Sequence, residues 1–455
     1  MFDKGISRRG FLKLSGVTAA GLGLSACGGS GSNGGSTGSE SAAGSGTTIK
    51  IGGIGPITGA AAIYGKATQY GAQVAVDEIN TINGKTVFEL RWEDDEHDPE
   101  KSVNAYNTLK DWGMQVLVGT TTTAPCVAVS TESNADGIFE LTPSASSTDV
   151  IGGQEDEDGN VTIPRKDNVF QMCFTDPNQG TASARYISQQ GLGTKIAIIY
   201  NNADAYSTGI YRKFETEAEA LGLEIVSVTT FTDDSATDFT VQLNDAKSAG
   251  ADLVFLPIYY TPASLILTQA NTMNYAPKFF GVDGMDGILT VEGFNTKLAE
   301  GVMLLTPFVA TADDESTKKF VEAYKKATGS DEDPNQFAAD SYDCVWAIFG
   351  AMASSKKLVK EDGTFDASLS ASDICAELVS IFTSGDFKYS GLTGLNMTWS
   401  KTGEVTKDPK GMVIVNGVYE PMDDASATDA DAQKTEQTAD KAAAEEGAGA
   451  EETAK

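Results

Sequence analysis

Short apolar segments alternate with longer amphipathic segments through most of this chain. The short segments are rich in β-branched and aromatic residues, which predicts strands, and the longer ones carry apolar residues at helical spacing, which predicts helices. The predicted strands lie at 48–56, 86–95, 114–119, 137–141, 168–174, 195–200, 224–231, 252–258, 278–284 and 302–308. The predicted helices lie at about 60–80, 99–112, 178–190, 205–221, 237–249 and 262–274, and another begins near 124. This alternation predicts α/β architecture with parallel, doubly wound sheets.

Two blocks of this alternation follow each other, which predicts two lobes instead of one large sheet. The polar segment 152–168, punctuated by Gly and Pro, predicts a surface insertion or a small hairpin. Beyond the second block, three helices are predicted at about 315–328, 337–355 and 371–383, and a last strand at 412–420. Gly329 stands where a glycine commonly ends a helix.

Two successive strands of the first block end in loops rich in hydroxyl groups. Thr120 to Thr123 follow the strand at 114–119, and a Thr-Pro-Ser-Ala-Ser turn at 142–146 follows the strand at 137–141. In a parallel sheet both loops lie at the carboxyl edge, where open α/β sheets bind ligands. Hydroxyls and helix N–H groups at this edge predict a small anion-binding site. Ordinary helix caps and turns are the alternative explanation.

The first residues have the features of an export signal. The paired arginines Arg8-Arg9 precede an apolar stretch too short for a membrane span, as in twin-arginine signals. The stretch ends in Leu-Ser-Ala before Cys27, which resembles a bacterial lipobox. We expect a signal peptide at 1–26, lipid on Cys27 and a flexible Gly/Ser tether up to residue 46. A plain secretory signal with a chance cysteine is the alternative.

The chain is strongly acidic, with a formal net charge of −31 and a pI near 4.3. This balance argues against nucleic-acid binding, which needs a basic face, and against charge-driven docking on anionic lipid. From Asp423 to the last residue the sequence contains no Val, Ile, Leu or aromatic residue. We expect a disordered acidic tail at 422–455, because such a composition cannot bury a core.

Cysteine and histidine usage limits the possible chemistry. Besides Cys27 there are four cysteines, for which three disulfide connectivities are possible. We favour the pairs Cys126–Cys173 and Cys344–Cys375, with buried, unbridged thiols as the alternative. The chain has one histidine and no C-x-x-C motif, so neither a Cys/His zinc site nor a Ser-His-Asp triad is expected. We predict no catalytic residues, no metal and no cofactor.

Several short motifs, in a shared order and spacing, resemble the type I solute-binding proteins of ABC importers, in the branch that includes leucine/isoleucine/valine-binding protein. The resemblance covers roughly residues 47–421. The motifs are IKIGGIGPITG (49–59) with Tyr64-Gly65, EDDEHDPE (93–100), the TPSAS turn, TDPNQG (175–180), ATDFTVQL (236–243) and FFGVDG (279–284).

This resemblance implies two Rossmann-like αβ lobes joined by three crossovers, the type I periplasmic binding protein fold. Carried over, lobe 1 comprises 47–175 and 309–394, and lobe 2 comprises 176–308 and 395–421. It further implies that a ligand binds in the cleft and that the lobes close over it by hinge motion. The implied partners are the permease subunits of an ABC importer and the membrane, reached through the lipid on Cys27. We expect an extracytoplasmic monomer that binds no nucleic acid.

The resemblance also assigns residues to an amino-acid ligand. It implies that the threonines and the TPSAS turn bind the carboxylate of the ligand. It also implies that Asp283, the acid in the F-x-G-x-[DE]-G turn, binds the ammonium group of the ligand. Two cleft tyrosines correspond to Tyr206 and to either Tyr259 or Tyr260, and Tyr64 and Phe337 match side-chain pocket positions. The implied ligand-binding set is Tyr64, Thr120, Thr121, Thr122, Ser144, Ala145, Ser146, Tyr206, Tyr259, Tyr260, Asp283 and Phe337.

Two departures from the family pattern leave the ligand's side chain open. Threonines stand where close relatives carry serines, and Asp283 stands where aliphatic binders often carry Glu. Asp340 aligns near the pocket, where it would contact a polar substrate or lie on a helix surface. The primary expectation is a receptor that delivers a small amino acid to an importer. The alternatives are a sensing lipoprotein with the same fold, a binder of urea or an amide, and an extracytoplasmic hydrolase, which lacks a recognisable nucleophile and base.

Overall fold

The computed structural model describes residues 48–155 and 159–422. The predicted signal peptide, Cys27, the tether and the tail beyond Met422 lie outside the described residues. Within them the chain divides into two units. The first unit runs to Pro177 and also includes Asp204–Gly209 and Pro307–Asp408. The second unit comprises Asn178–Ala203, Ile210–Thr306 and the chain from Pro409 onward.

The first unit contains a five-stranded parallel sheet in the order β2-β1-β3-β4-β7. Its strands are β1 (Ile49–Ile54), β2 (Phe88–Glu93), β3 (Val116–Val118), β4 (Phe139–Thr142) and β7 (Val169–Gln171). Val116 pairs with Ile51 on one side and with Phe139 on the other, so β3 is central. The strands β5 (Gln154–Glu155) and β6 (Val161–Ile163) form a separate antiparallel hairpin. This hairpin confirms the small insertion predicted from the polar segment.

Helices of the first unit supply most of the cover for this sheet. They are α1 (Ala62–Asn83), α2 (Pro99–Trp112), α3 (Thr123–Asp136), α8 (Glu315–Thr328), α9 (Gln336–Ser354) and α10 (Ala371–Phe382). Helix α9 is buried over almost its whole length and packs closely on α1. A Cβ at Gly71 of α1 would come within 2.0 Å of the Ala338 carbonyl oxygen, so only glycine permits this approach. Gly329, with φ of 68°, ends α8 as predicted.

The second unit contains a seven-stranded sheet in the order β14-β13-β12-β11-β10-β8-β9. Its strands are β8 (Lys195–Asn201), β9 (Glu224–Phe231), β10 (Leu253–Leu256), β11 (Lys278–Gly281), β12 (Met303–Thr306), β13 (Lys410–Val415) and β14 (Val418–Pro421). The strands from β8 to β12 pair in parallel, whereas β13 and β14 are antiparallel. Most of the residues of α4 (Asp176–Gln189) and α5 (Ala205–Leu221) belong to this unit, together with α6 (Thr240–Ser248) and α7 (Tyr260–Thr272).

The prediction of a single last strand at 412–420 is wrong, because this segment forms the β13–β14 hairpin. Asn416 and Gly417 connect the two strands, with φ angles of 53° and 76°. Two successive positive φ angles are what a two-residue turn of the mirror-image type requires, and Asn-Gly is its preferred sequence. The signal was therefore present in the sequence as Asn-Gly between two apolar runs.

The segment 395–408, assigned by the sequence to lobe 2, belongs to the first unit instead. Trp399 Nε1 donates a hydrogen bond to the Gln171 carbonyl oxygen at 2.8 Å, and its ring lies 4.5 Å from the ring of Phe382. Lys407 Nζ lies 2.6 Å from Asp340 Oδ1, and both side chains are buried. These contacts hold the segment on the first unit, so the last change of unit comes after Asp408.

The four described cysteines, Cys126, Cys173, Cys344 and Cys375, form no disulfide, so the two favoured pairs are wrong. All four are buried, in agreement with the alternative of buried, unbridged thiols. The Cys126 thiol instead donates to Glu140 Oε1 at 3.3 Å. Burial raises the pKa of the Cys375 thiol to about 12 and that of Cys126 well above its ordinary value, so neither forms a reactive thiolate near neutral pH.

We expect the native protein with Cys27→Ser, prepared without reductant, to show almost no reaction with a chromogenic thiol reagent. After unfolding in guanidinium chloride, the four described cysteines should all react. The physical reason is that burial keeps the reagent away from the thiols and also disfavours the reactive thiolate form. A count of zero in the unfolded protein, rising only after reduction, would instead show that the cysteines are bridged.

Candidate functional site

The threonines after β3 and the turn after β4 lie at one edge of the first sheet. Strands β3 and β4 are parallel neighbours, with Val118 opposite Leu141. Thr142 Oγ1 donates to the Thr120 carbonyl oxygen at 2.7 Å and so joins the two loops. The structure therefore brings together the two hydroxyl-rich loops that the sequence predicts at this edge.

Several hydroxyl protons of these loops are used within the first unit. Thr120 Oγ1 donates to the Thr122 carbonyl oxygen at 3.2 Å, and Ser144 Oγ donates to the Thr121 carbonyl oxygen at 2.6 Å. Thr121 Oγ1 lies 2.8 Å from Thr68 Oγ1. These bonds fix the loop conformation, because each buried hydroxyl has an acceptor or a partner close by.

The backbone of the TPSAS turn is also held from within the unit. The Ala145 N–H donates to Thr142 Oγ1 at 3.0 Å, and the Ala145 carbonyl oxygen accepts from Gln171 Nε2 at 2.8 Å. Ser146 is buried, and its carbonyl oxygen accepts from the Asp176 N–H at 3.0 Å. Ala145 therefore contributes shape to this edge, since its N–H is already donated inside the turn.

Helix α3 presents its first N–H groups at the same edge. Thr122 is the N-cap residue, but among the described residues its side chain makes no capping hydrogen bond. The Thr122 hydroxyl lies instead 2.8 Å from Nδ1 of His97. The N–H groups of the first helical turn lack acceptors within their own helix, and they carry the positive end of its dipole. This arrangement suits a carboxylate or another small anion.

Tyr64 and Phe337 form an aromatic pair in the first unit. Their ring centroids are 4.7 Å apart in an edge-to-face arrangement, and both side chains are buried. Tyr64 lies on α1 and Phe337 on α9. The neighbouring Gly65 allows α1 to approach Pro56, whose carbonyl oxygen would be 1.9 Å from an added Cβ. Such a pair supplies apolar surface for a hydrophobic side chain.

In the second unit, a buried carboxylate and two tyrosines follow adjacent parallel strands. Asp283 comes two residues after the end of β11 and is 3% exposed, and its N–H donates to Gln179 Oε1 at 3.1 Å. Tyr259 and Tyr260 precede and begin α7, after β10. Tyr260 is buried and Tyr259 is half-buried. Since β10 and β11 are neighbours in the sheet, these residues belong to its carboxyl edge.

Tyr206 does not belong to the second unit, in which the sequence placed it. It lies in Asp204–Gly209, which packs with the first unit, and it is buried. A Cβ at Gly209 would be 3.1 Å from Asp176 Oδ2, so the start of α5 lies tightly against the start of α4. This close approach explains why the first residues of α5 belong to the first unit, whereas the rest of that helix belongs to the second unit.

Asp340 does not lie on a helix surface: it is buried and paired with a lysine. Its Oδ1 accepts from Lys407 Nζ at 2.6 Å, and Lys407 also donates to Thr393 Oγ1 at 2.7 Å. Burial raises the pKa of the Asp340 carboxyl to about 6, against the opposing effect of the Lys407 ammonium. The helix-surface alternative for Asp340 is therefore wrong, because the side chain is 2% exposed and paired with Lys407. Contact with a polar substrate stays a prediction.

Sequence analysis missed three residues that the structure places beside the predicted ones. His97 contacts Thr122, Gln179 accepts from the backbone of Asp283, and Lys407 pairs with Asp340. His97 and Gln179 stood inside family motifs, but those motifs served only as markers. Their contacts span 25 and 104 residues of sequence and follow no local pattern.

Two other features, a metal site and a membrane-spanning helix, are absent from the described part of the chain. Within 48–155 and 159–422, no group of three or more His, Cys, Asp or Glu side chains is placed to hold a metal ion. In the same ranges no helix is long and apolar enough to cross a membrane.

Comparison with known proteins identifies related sequences and folds. A model of periplasmic binding proteins matches residues 48–378. The chain is 28% identical over 218 residues to Leu/Ile/Val-binding protein homolog 3 of Brucella melitensis, and 30% identical over 220 residues to Leu/Ile/Val-binding protein BraC3 of Rhizobium johnstonii. Each match covers 47% of this chain, and they cover 55% and 56% of the relatives. The chain thus spans about half the length of these curated relatives.

The fold has a similar solved counterpart. The branched-chain amino acid transporter substrate-binding protein LivJ of Streptococcus pneumoniae, in complex with isoleucine, has a TM-score of 0.68 and 26% sequence identity. The superposition covers 82% of this chain and 98% of that one.

Proposed function

This chain belongs to the periplasmic binding protein family, and from that premise we propose that it captures an α-amino acid outside the cytoplasm and delivers it to the permease of an ABC importer. One named relative is a Leu/Ile/Val-binding protein, the other is named as a homolog of one, and the similar solved protein is in complex with isoleucine. These likenesses support an aliphatic amino acid as the ligand.

The observation that carries this proposal is the opposite chemistry of two groups of residues. At the edge of the first sheet, the Thr122 hydroxyl and the first N–H groups of α3 suit a carboxylate. In the second unit, the buried carboxylate of Asp283 suits an ammonium group. An α-amino acid is a small ligand that carries both charges. We therefore propose that its carboxylate contacts the first group and its ammonium contacts Asp283.

The ligand's side chain is assigned to apolar surface. The paired rings of Tyr64 and Phe337 offer such surface in the first unit. We propose that Tyr206, Tyr259 and Tyr260 complete the ligand contacts, as the family resemblance implies.

We further propose that the protein is held at the membrane by lipid on Cys27. The Gly/Ser-rich sequence that follows Cys27 would then link the lipid to the described part of the chain. Residues 1–26 would then be the export signal, and the protein would act as an extracytoplasmic monomer.

A thermal-shift screen tests the ligand class. The panel comprises the twenty amino acids, small peptides, urea, purines and benzoate. A ligand at about 100 times its Kd adds roughly 2.7 kcal/mol to the free energy of unfolding, because it binds only the folded state. For units of this size we expect an aliphatic amino acid to raise Tm by roughly 5–10 °C.

Derivatives of the best amino acid provide the control for charge recognition. N-acetylation removes the ammonium group, and amidation removes the carboxylate. Both derivatives should produce little or no shift if the two charged ends are bound as proposed. A panel in which urea, a purine or benzoate shifts Tm and amino acids do not would refute the amino-acid assignment.

A further inference from the structure

His97 is held next to the N-cap of α3 by its own unusual backbone. Its φ is 63° and that of Glu96 is 52°, so two successive residues other than glycine adopt the left-handed conformation. The His97 N–H donates to Asp95 Oδ1 at 3.0 Å, which stabilises this turn. As a result Nδ1 of the half-buried ring lies 2.8 Å from Thr122 Oγ1.

The acidic residues around His97 are engaged in other bonds. Asp94 accepts from the Ile57 N–H and from Thr58 Oγ1, and Asp98 accepts from the Lys101 N–H at the start of α2. The Glu96 carboxylate pairs with the Lys101 ammonium at 2.6 Å.

Asp95 is buried and holds the backbone of His97, and burial raises the pKa of its carboxyl to about 6. The facing loop and first turn of α3 contain no charged residue. Burial thus brings the titration of Asp95 into the pH range in which an imidazole ordinarily changes its charge.

The Thr122 hydroxyl has one proton, and its direction depends on the histidine. When Nδ1 of His97 carries a proton it must donate, so Thr122 accepts there and its own proton is left for another acceptor. When Nδ1 carries no proton, Thr122 donates to the ring and has no proton for an anion. The N-cap hydroxyl can therefore present either a donor or only lone pairs to a ligand.

We infer that His97 is a positioning residue of the ligand site, which turns the Thr122 proton toward the carboxylate of the bound amino acid. This inference rests on the proposed function. With the proton of the neutral ring on Nε2, Nδ1 donates only after His97 is protonated, so affinity for a carboxylate strengthens with that protonation. It also explains why Thr122 does not cap α3 with its own side chain: its hydroxyl is oriented by the ring.

Two substitutions at position 97 separate this role from a backbone role. Gly and Asn both tolerate a positive φ, but only Asn retains an N–H group that can donate to Thr122 from about the position of Nδ1. We expect His97→Gly to weaken binding of L-isoleucine, or of the amino acid with the largest shift in the screen, by about tenfold at pH 6. His97→Asn should recover most of that loss.

Calorimetric titration from pH 8 to pH 5.5 provides the second readout. Affinity of the wild type should rise several-fold toward acidic pH, and the part of this rise due to the ring should vanish in His97→Asn. Any part due to Asp95 remains in that variant, because Asp95 is unchanged. In a Thr122→Val background, His97→Gly should have no further effect if it acts through that hydroxyl.

The outcomes separate the two hypotheses. If the wild type binds an amino acid and His97→Gly binds it equally well, or if Asn fails to recover what Gly loses while all variants remain folded, the positioning role is refuted. If the wild type binds none of the amino acids in the screen, the proposed function fails and the positioning role falls with it.

Discussion

Replacing Asp283 by alanine is expected to remove at least about two thirds of the Tm increase that an α-amino acid produces at the same concentration, while the protein remains folded. Asp283 is 3% exposed, and an ammonium group bound to it is removed from water together with the carboxylate. Removing one partner of such a pair costs about 2–5 kcal/mol, so the Kd should rise at least roughly 30-fold. Isothermal titration with the best amino acid of the screen measures this loss.

Asp286 offers a matched control for this substitution. It is also buried, lies three residues further along the same turn, and its carboxylate bonds to the Tyr419 hydroxyl of the second unit. Asp286→Asn should therefore change Tm without abolishing amino-acid binding. Asp283→Asn, which keeps the shape and removes the charge, should behave like Asp283→Ala. An unchanged Kd in both Asp283 variants would remove this residue from the ligand site.

Replacing Lys407 by methionine is expected to destabilise the first unit by about 3–5 kcal/mol at pH 8, because it leaves Asp340 buried without its ammonium partner. All four tryptophans of the chain lie in this unit, so their fluorescence during urea unfolding reports on it specifically. Lys401→Met, an exposed substitution in the same segment, should change the free energy of unfolding by less than about 0.5 kcal/mol.

The destabilisation should depend on pH in a defined direction. Burial raises the pKa of the Asp340 carboxyl to about 6, above its ordinary value of 3.8. The folded state therefore binds a proton that the unfolded state releases, and the unfolding free energy falls as pH rises through this window. In Lys407→Met the opposing ammonium is absent, so the fall should continue to higher pH. If Lys407→Met lowered the free energy of unfolding equally at pH 5 and at pH 8, this account would be contradicted. It would also be contradicted if Lys407→Met were stable and the double variant Lys407→Met/Asp340→Leu were not.

The fold class could be predicted from the sequence because it rests on local periodicity. The strand–helix alternation, the helix end at Gly329 and the position of the small hairpin all follow from patterns within a few residues. The family match and the similar solved structure confirm the type I periplasmic binding protein fold. The Asn-Gly pair of the β13–β14 hairpin is an equally local signal, which the single strand predicted at 412–420 did not take into account.

The remaining differences concern contacts that join distant parts of the chain. The Asp340–Lys407 pair and the Trp399–Gln171 bond span 67 and 228 residues, and nothing in the flanking residues indicates them. The favoured disulfides failed for the same reason, since an even number of cysteines carries no information about their distances. His97 reaches Thr122 because of a left-handed turn at Glu96 and His97, which neither residue type signals by itself.

Because the chain passes from one unit to the other more than once, neither unit can be obtained as a single continuous fragment. A polypeptide ending before Pro307 would lack helices α8, α9 and α10 of the first unit, and also the antiparallel strands that extend the second sheet. Synthesis of one unit alone would require splicing its stretches with new loops. Conversely, if the chain is divided at an exposed loop and its two pieces are co-expressed, each piece should fold only when the other is present. A split reporter built on this protein would therefore give a signal only when both pieces are present.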